Sequence, residues 1–174
     1  MSLEILHQGR FLRLVKTGRW EFCQRTKASA VVAIVATTAM DEIVLIEQER
    51  VPLGRRIIEL PAGLVGDDEG HEDEAILEAA QRELDEETGY FAAQWQILSR
   101  GPTSAGLTDE VVTFVAARDA LPSGGGGGVD GEDIEVHVIP LDEVGEWLAA
   151  REASGQLVSP KVYAGLYFAM RNRD

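Results

Sequence analysis

The amino-acid sequence predicts an α+β fold in which one mixed β-sheet lies between helices and extra strands precede it at the N-terminus. Three observations carry that expectation. Segments rich in β-branched residues recur along the chain, and only three stretches switch to helical spacing. The helices also interrupt the strands irregularly, without the steady β-helix-β alternation of a doubly wound parallel sheet. The 174 residues suffice for one domain with a sizeable core, and 45% apolar residues is an ordinary globular composition.

Taken in order, residues 10–27 mix apolar and basic side chains in short alternations and predict one or two edge strands, or a hairpin turning at Thr17-Gly18. Residues 28–37 are nearly all small or β-branched, as in a central strand buried on both faces. After a turn at Met40-Asp41, residues 42–50 form another strand around Ile43-Val44-Leu45-Ile46, and residues 57–60 a short one ended by Pro61 and Gly63. From Asp73 to Thr88 the period changes: Ile76, Leu77, Ala80 and Leu84 recur at helical spacing, and Gly89 stands where a helix-stopping glycine belongs. Glu72, Asp73 and Glu74 lie near the start, where negative charge is favoured. Strands follow at 95–99 and 111–117, joined by a loop over 101–109. Five consecutive glycines, 124–128, are costly to order and predict a mobile surface loop that proteases would cut first. A strand at 134–140 and helices at 141–153 and 160–171 complete the chain, the last packing Tyr163, Leu166, Tyr167 and Met170 towards the sheet.

Charge narrows the function classes. Thirty acidic residues against 16 basic ones leave a formal net charge of −14, which disfavours nonspecific binding to nucleic acid or anionic lipid. An anionic small molecule remains possible where cations invert the local field. Cys23 is the only cysteine, so an intrachain disulfide or a cysteine metal cluster is excluded. No signal-peptide core or long apolar run is present, and a cytoplasmic location is the expectation.

Eleven of the 30 acidic residues fall between Asp67 and Glu87, opposed only by Arg82. Glu83, Glu86 and Glu87 stand at i, i+3 and i+4, which puts three carboxylates on one helix face. Such a stripe is commonly just a solvated face. A hard divalent cation would relieve its repulsion, since Mg²⁺ takes oxygen ligands. Pro61-Ala62-Gly63 lies just before this helix as a tight turn able to aim a carbonyl at the same ion, and Asp109-Glu110 adds carboxylate from a glycine-bearing loop.

At this point the residues match a family pattern. Glu74, seven residues, then Arg82-Glu83-Leu84-Asp85-Glu86-Glu87-Thr88-Gly89-Tyr90 resembles the signature box of the Nudix hydrolases. Glu47-Gln48-Glu49-Arg50, Glu59-Leu60-Pro61-Ala62-Gly63, Gly106-Leu107-Thr108-Asp109-Glu110 and Pro140-Leu141-Asp142-Glu143 extend the likeness towards the branch that splits ADP-ribose and nucleotide sugars. The chain departs from the pattern twice. The box glycine falls on Asp68 by count, so Gly63 fills its role only if five residues have entered the loop at 64–73. ADP-ribose hydrolases typically carry Ser-Pro-Gly after the box, where this chain has Ser104-Ala105-Gly106, which leaves other substrates open.

The resemblance implies a Nudix-like α/β/α sandwich, with residues 1–27 as N-terminal strands for dimerisation and 28–174 as the catalytic domain. It implies Mg²⁺, or Mn²⁺ in its place, held by Glu83, Glu87, Glu86 and the backbone carbonyl of Ala62. Glu110 becomes the general base or water positioner, with Glu86 its rival, and Arg82 organises the site by pairing with Glu74 or Glu78. Arg50, Glu59, Trp20, Ala105 and Gly106 become substrate contacts. His71 and His137 have no assigned part, and Lys161 none beyond its charge. The implied reaction splits the pyrophosphate of an ADP-ribose-like nucleoside diphosphate sugar, giving a nucleoside monophosphate and a sugar phosphate, in a homodimer that binds neither nucleic acid nor membrane. GDP-mannose, a nucleoside triphosphate or a dinucleoside polyphosphate are the alternatives, as is a catalytically silent ligand-binding domain.

Overall fold

The computed structural model describes residues 2–27, 30–66, 74–129 and 131–171. Its centre is β4 (Ala30–Thr37), the strand of small and branched side chains. Strand alternation sends Val31, Ala33 and Val35 into one apolar cluster and Val32, Ile34 and Ala36 into another, on opposite faces of the sheet. Both faces are therefore covered, and the chain folds as an α/β/α sandwich around a mixed sheet.

Three antiparallel strands come first: β1 (Glu4–Gln8), β2 (Leu12–Thr17) and β3 (Trp20–Arg25) form a separate small sheet. The hairpin at Thr17-Gly18 was legible in the sequence; β1 was not. The main sheet adds β5 (Glu42–Arg50), β6 (Arg55–Glu59), β7 (Ala62–Val65), β9 (Gln94–Pro102), β10 (Val111–Arg118), β12 (Glu135–Pro140) and the short β13 (Leu157–Val158). Between β7 and β9 lies the short β8 (Tyr90–Phe91), which pairs with β11 (Leu121–Pro122) in a two-stranded ribbon. On one side of β4 runs β10, in parallel; on the other, β7 pairs with its first half and β5 with its last residues, both antiparallel. Strand β5 then carries β6 and β12 on its two reaches.

Helix α1 (Ile76–Thr88) packs Ala79, Ala80 and Leu84 onto one face. Burying a leucine there contributes roughly 1.5–3 kcal/mol. Its first-turn Glu78 accepts the Ala75 N–H at 3.1 Å, and Gly89, at φ 66°, ends the helix by donating its N–H to the Asp85 carbonyl. On the other face, α2 (Val144–Ala153) contributes Val144 and Leu148, and α3 (Pro160–Arg171) contributes Val162, Leu166 and Ala169. Among the described residues, no helix is long and apolar enough to cross a membrane.

Two expectations need correction. Part of the expected loop at 64–73 is strand: Leu64 and Val65 continue β7 and pair with Val31 and Ala30, while 67–73, with Glu72, Asp73 and His71, lie outside the described residues. The glycine run is not a free loop. Gly127 and Gly128 donate their N–H groups to the Glu87 and Glu86 carbonyls at 3.0 Å each, satisfying the acceptors that the end of α1 leaves over. A Cβ on Gly126 would lie 2.4 Å from the Thr88 carbonyl carbon, so the backbone approaches too closely for a side chain. The glycines serve a packing contact that requires their lack of Cβ, and composition alone cannot show that.

Candidate functional site

The proline turn and the last turns of α1 meet face to face. Pairing of β7 with β4 sets the turn, and the Ala62 N–H donates to Glu87 Oε2 at 2.9 Å. A Cβ added to Gly63 would fall 1.9 Å from the Glu83 carboxyl carbon, so only glycine lets that carboxylate lie against the strand. This contact is the structural ground for placing Gly63, rather than Asp68, in the glycine role. Together these groups border an open cleft of about 490 Å³, whose wall also includes Arg25, Arg50, Glu59, Glu110, Glu132 and Lys161.

Glu87 is 5% exposed, and its carboxyl is pushed up to about 8. Burial is the main cause; the neighbouring charges of Glu83 and Glu132 add to it, against the Ala62 hydrogen bond and Arg50. Arg82 lies over the adjoining turns of α1. It donates to Glu74 twice (3.1 and 3.2 Å), to Glu83 at 2.9 Å, to Glu86 at 3.2 Å and to the Leu64 carbonyl at 3.3 Å. Its guanidinium is held above the ordinary arginine value, chiefly by the hydrogen bonds to Glu74 and, against the cost of burial, by Glu83. Of the two partners expected for Arg82, the structure chooses Glu74; Glu78 caps the helix start instead.

Other expected residues divide into three groups. Arg50 and Glu59 reach the cleft as an ion pair, Nε to Oε2 at 2.5 Å. Glu110 reaches it tied to Arg25 at 2.7 Å and accepting from Thr103 at 3.2 Å. Trp20, Ala105 and Gly106 gather elsewhere, with Phe22, around an apolar pocket of about 460 Å³. The loop bearing Ala105 and Gly106 is fastened to β3, which carries Trp20 and Phe22, because the Cys23 N–H donates to the Leu107 carbonyl at 2.8 Å and Gln24 bonds Asp109. Glu86 turns to Arg82 and is not part of the cleft wall, and Ala62 meets Glu87 through its N–H.

Sequence reasoning missed Glu132, Gln48 and Lys161, all in the cleft wall. Lys161 opens α3 just after Pro160, and Gln48 alternates with Arg50 on β5, a period-two signal that could have marked it. Glu132 follows the glycine run and carried no signal. His137 was also misread. Its Nε2 lies 3.2 Å from Glu47 Oε2, its ring meets Trp147 in a tilted contact with centroids 5.1 Å apart, and Glu47, Glu135 and His137 place ligand atoms within 4.8 Å of one another, a group able to hold a divalent cation. Burial pushes Glu47 up, but hydrogen bonds from Gln156, His137 and Arg56 outweigh it and leave the carboxyl below its ordinary value. His137 alternates with Val136 and Val138, which pack on the α1 side of the sheet, so its own side chain lies on the face away from α1, and none of the three residues lines the cleft.

The cleft sets two carboxylates, Glu83 and Glu87, against a backbone turn with glycine making the room, and these are oxygen donors of the kind that Mg²⁺ takes. An acid-lined cleft lies between a helix and a proline turn inside the α/β/α sandwich. Comparison with known proteins makes the assignment: the NUDIX domain model matches residues 26–160, and the chain belongs to that family. It is 35% identical over 118 residues to the methanol dehydrogenase activator of Bacillus methanolicus, covering 67% of this chain and 61% of that protein. It is 39% identical over 93 residues to an ADP-ribose pyrophosphatase of Bacillus subtilis, covering 53% and 48%. With an ADP-sugar pyrophosphatase of Mus musculus it shares 31% over 188 residues, covering 94% and 83%. The match thus spans 61% and 48% of the length of the first two relatives. A crystal structure of an ADP compounds hydrolase superposes with a TM-score of 0.72 over 98% of this chain and 90% of that one; at 21% identity this likeness concerns the fold.

Proposed function

We propose that the chain hydrolyses the pyrophosphate of a nucleoside diphosphate linked to a sugar, of the ADP-ribose kind, releasing a nucleoside monophosphate and a sugar phosphate. The observation that carries this reading is the pair Glu83 and Glu87 set against Ala62 and Gly63, with Arg25, Arg50 and Lys161 in the same cleft. Relatives named ADP-ribose pyrophosphatase and ADP-sugar pyrophosphatase favour this substrate class.

A pyrophosphate carries negative charge on both phosphoryl groups and repels hydroxide. A bound Mg²⁺, or Mn²⁺, would lower the pKa of a water and offset that charge. Glu83 and Glu87 would hold the ion, with Glu86, now bonded to Arg82, and the Ala62 carbonyl as further oxygen donors. Arg82 fixes the carboxylates by its bonds to Glu74, Glu83 and Glu86. Arg50 and Lys161 orient the substrate phosphates, with Glu59 steering Arg50. Glu110 takes the proton of the attacking water, or positions it; Glu132, a further cleft carboxylate from outside α1, is its competitor for that part, since Glu59 is held by Arg50. Trp20 stacks the base beside Ala105 and Gly106. The small N-terminal sheet leaves Leu3, Ile5, Phe11 and Trp20 exposed, which suits a homodimer formed through residues 1–27.

The test is a panel of ADP-ribose, ADP-glucose, GDP-mannose and a nucleoside triphosphate, each with and without Mg²⁺, with products identified. Release of AMP or GMP with the matching sugar phosphate is the expected result. Inert mixtures with every divalent metal would leave a silent ligand-binding domain instead. Light scattering of the same sample reads the oligomeric state.

A further inference from the structure

Beside the catalytic cleft lies a second cavity, of about 390 Å³, into which three arginines converge: Arg13 from β2, Arg25 from β3 and Arg100 from β9. In a chain of net charge −14 with only 16 basic residues this is a local inversion of sign. Guanidinium groups repel one another, so their gathering is a cost unless they are held or neutralised. Two of them are held. Arg13 Nε donates to Gln24 Oε1 at 3.0 Å, and Gln24 is in turn bonded to Asp109; Arg25 Nε pairs with Glu110 at 2.7 Å. Arg100 stands opposite Thr113 in the β9–β10 pairing, is exposed, and has no ion-pair partner among the described residues. Three guanidinium charges thus face two carboxylates, Asp109 and Glu110.

The cavity adjoins both functional pockets. It shares Arg25, Val31 and Glu110 with the cleft, and Asp109 with the apolar pocket of Trp20 and Phe22. For a nucleotide with its pyrophosphate in the cleft and its base at Trp20, this cavity, which shares walls with both pockets, is the place for the nucleoside ribose. We infer that this cavity is an anion subsite for a phosphomonoester on the nucleoside ribose, so that the chain favours substrates carrying a third phosphate over plain nucleoside diphosphate sugars. Arginine suits the task because its planar fork matches phosphate oxygens bidentately. The inference rests on the hydrolase reading for its substrate, though not for its binding site.

The experiment compares ADP-ribose with ADP-ribose 2′-phosphate as substrates, and AMP with adenosine 2′,5′-bisphosphate as ligands by calorimetry, for the full chain and its Arg100→Gln and Arg100→Lys variants. The expected kcat/KM ratio favours the phosphorylated substrate by about tenfold or more, and Arg100→Gln lowers that ratio at least about fivefold, Arg100→Lys less. Equal kcat/KM for the two substrates, or an equal fractional loss on both in Arg100→Gln, overturns the subsite. If neither substrate turns over, the hydrolase reading falls; tighter bisphosphate than AMP binding that depends on Arg100 then still upholds the subsite, and its absence overturns that too.

Discussion

Adding Mg²⁺ to the protein at pH 7 should expel close to one proton per cleft. Glu87 carries its proton up to about pH 8 because burial and the charges of Glu83 and Glu132 oppose ionisation. At pH 7 it is then about nine-tenths protonated, and a carboxylate must be ionised to bind the cation. Calorimetric titration with Mg²⁺ in two buffers of different ionisation enthalpy reads the proton count directly. Between pH 6 and 7 the apparent affinity should rise about tenfold, and Glu87→Gln should abolish both effects. The same acid sets a sign for stability without metal. Its folded value lies above the ordinary carboxylate value of 4.5, so its contribution is fully present below that pH and is lost as pH rises through about 8. In chelator, the free energy of unfolding should therefore fall between pH 5 and 9 by an amount on the order of a few kcal/mol, read as a lower melting temperature, and Glu87→Gln should flatten that fall. No buffer dependence of the binding heat, with Mg²⁺ bound, would refute the placement of a protonated Glu87 in the ion's path.

Three substitutions test the supporting contacts. Gly63→Ala puts a methyl 1.9 Å from the Glu83 carboxyl carbon and should cost at least about tenfold in Mg²⁺ affinity, with the far-UV circular dichroism retained. Gly126→Ala, which has a positive φ of 82° and a Cβ 2.4 Å from Thr88, should lower stability by about 1–3 kcal/mol in a denaturant melt, and proteolysis of the parent should spare residues 124–128. Arg82→Lys loses the fork that reaches Glu74, Glu83 and Glu86 together, and should lower kcat at least about tenfold without raising KM to the same extent.

What was legible in the sequence follows from local physics. The two-faced burial of β4, the helix ending at Gly89 and the start of α3 at Pro160 each depend on neighbours in the chain, and each was read from residue type and period. The cleft's acidic half was visible for the same reason, because Glu83 and Glu87 share a helix. Its other half was not. Strand β7 is four residues long and exists through its pairing with β4; Glu132 and Lys161 reach the cleft from distant elements. The five glycines misled because glycine is read as freedom, whereas here it permits backbone to touch the end of α1. His137 was passed over because Glu47, its partner at 3.2 Å, stands ninety residues away.

The most direct measurement is kcat for Glu87→Gln on the substrate that the panel identifies, at saturating Mg²⁺ and with the fold verified. Loss of a carboxylate that helps hold the charge of the transition state should lower kcat by roughly a thousandfold or more. A drop smaller than about tenfold would remove Glu87 from the chemistry, and with it the pairing of α1 and the proline turn as the catalytic centre.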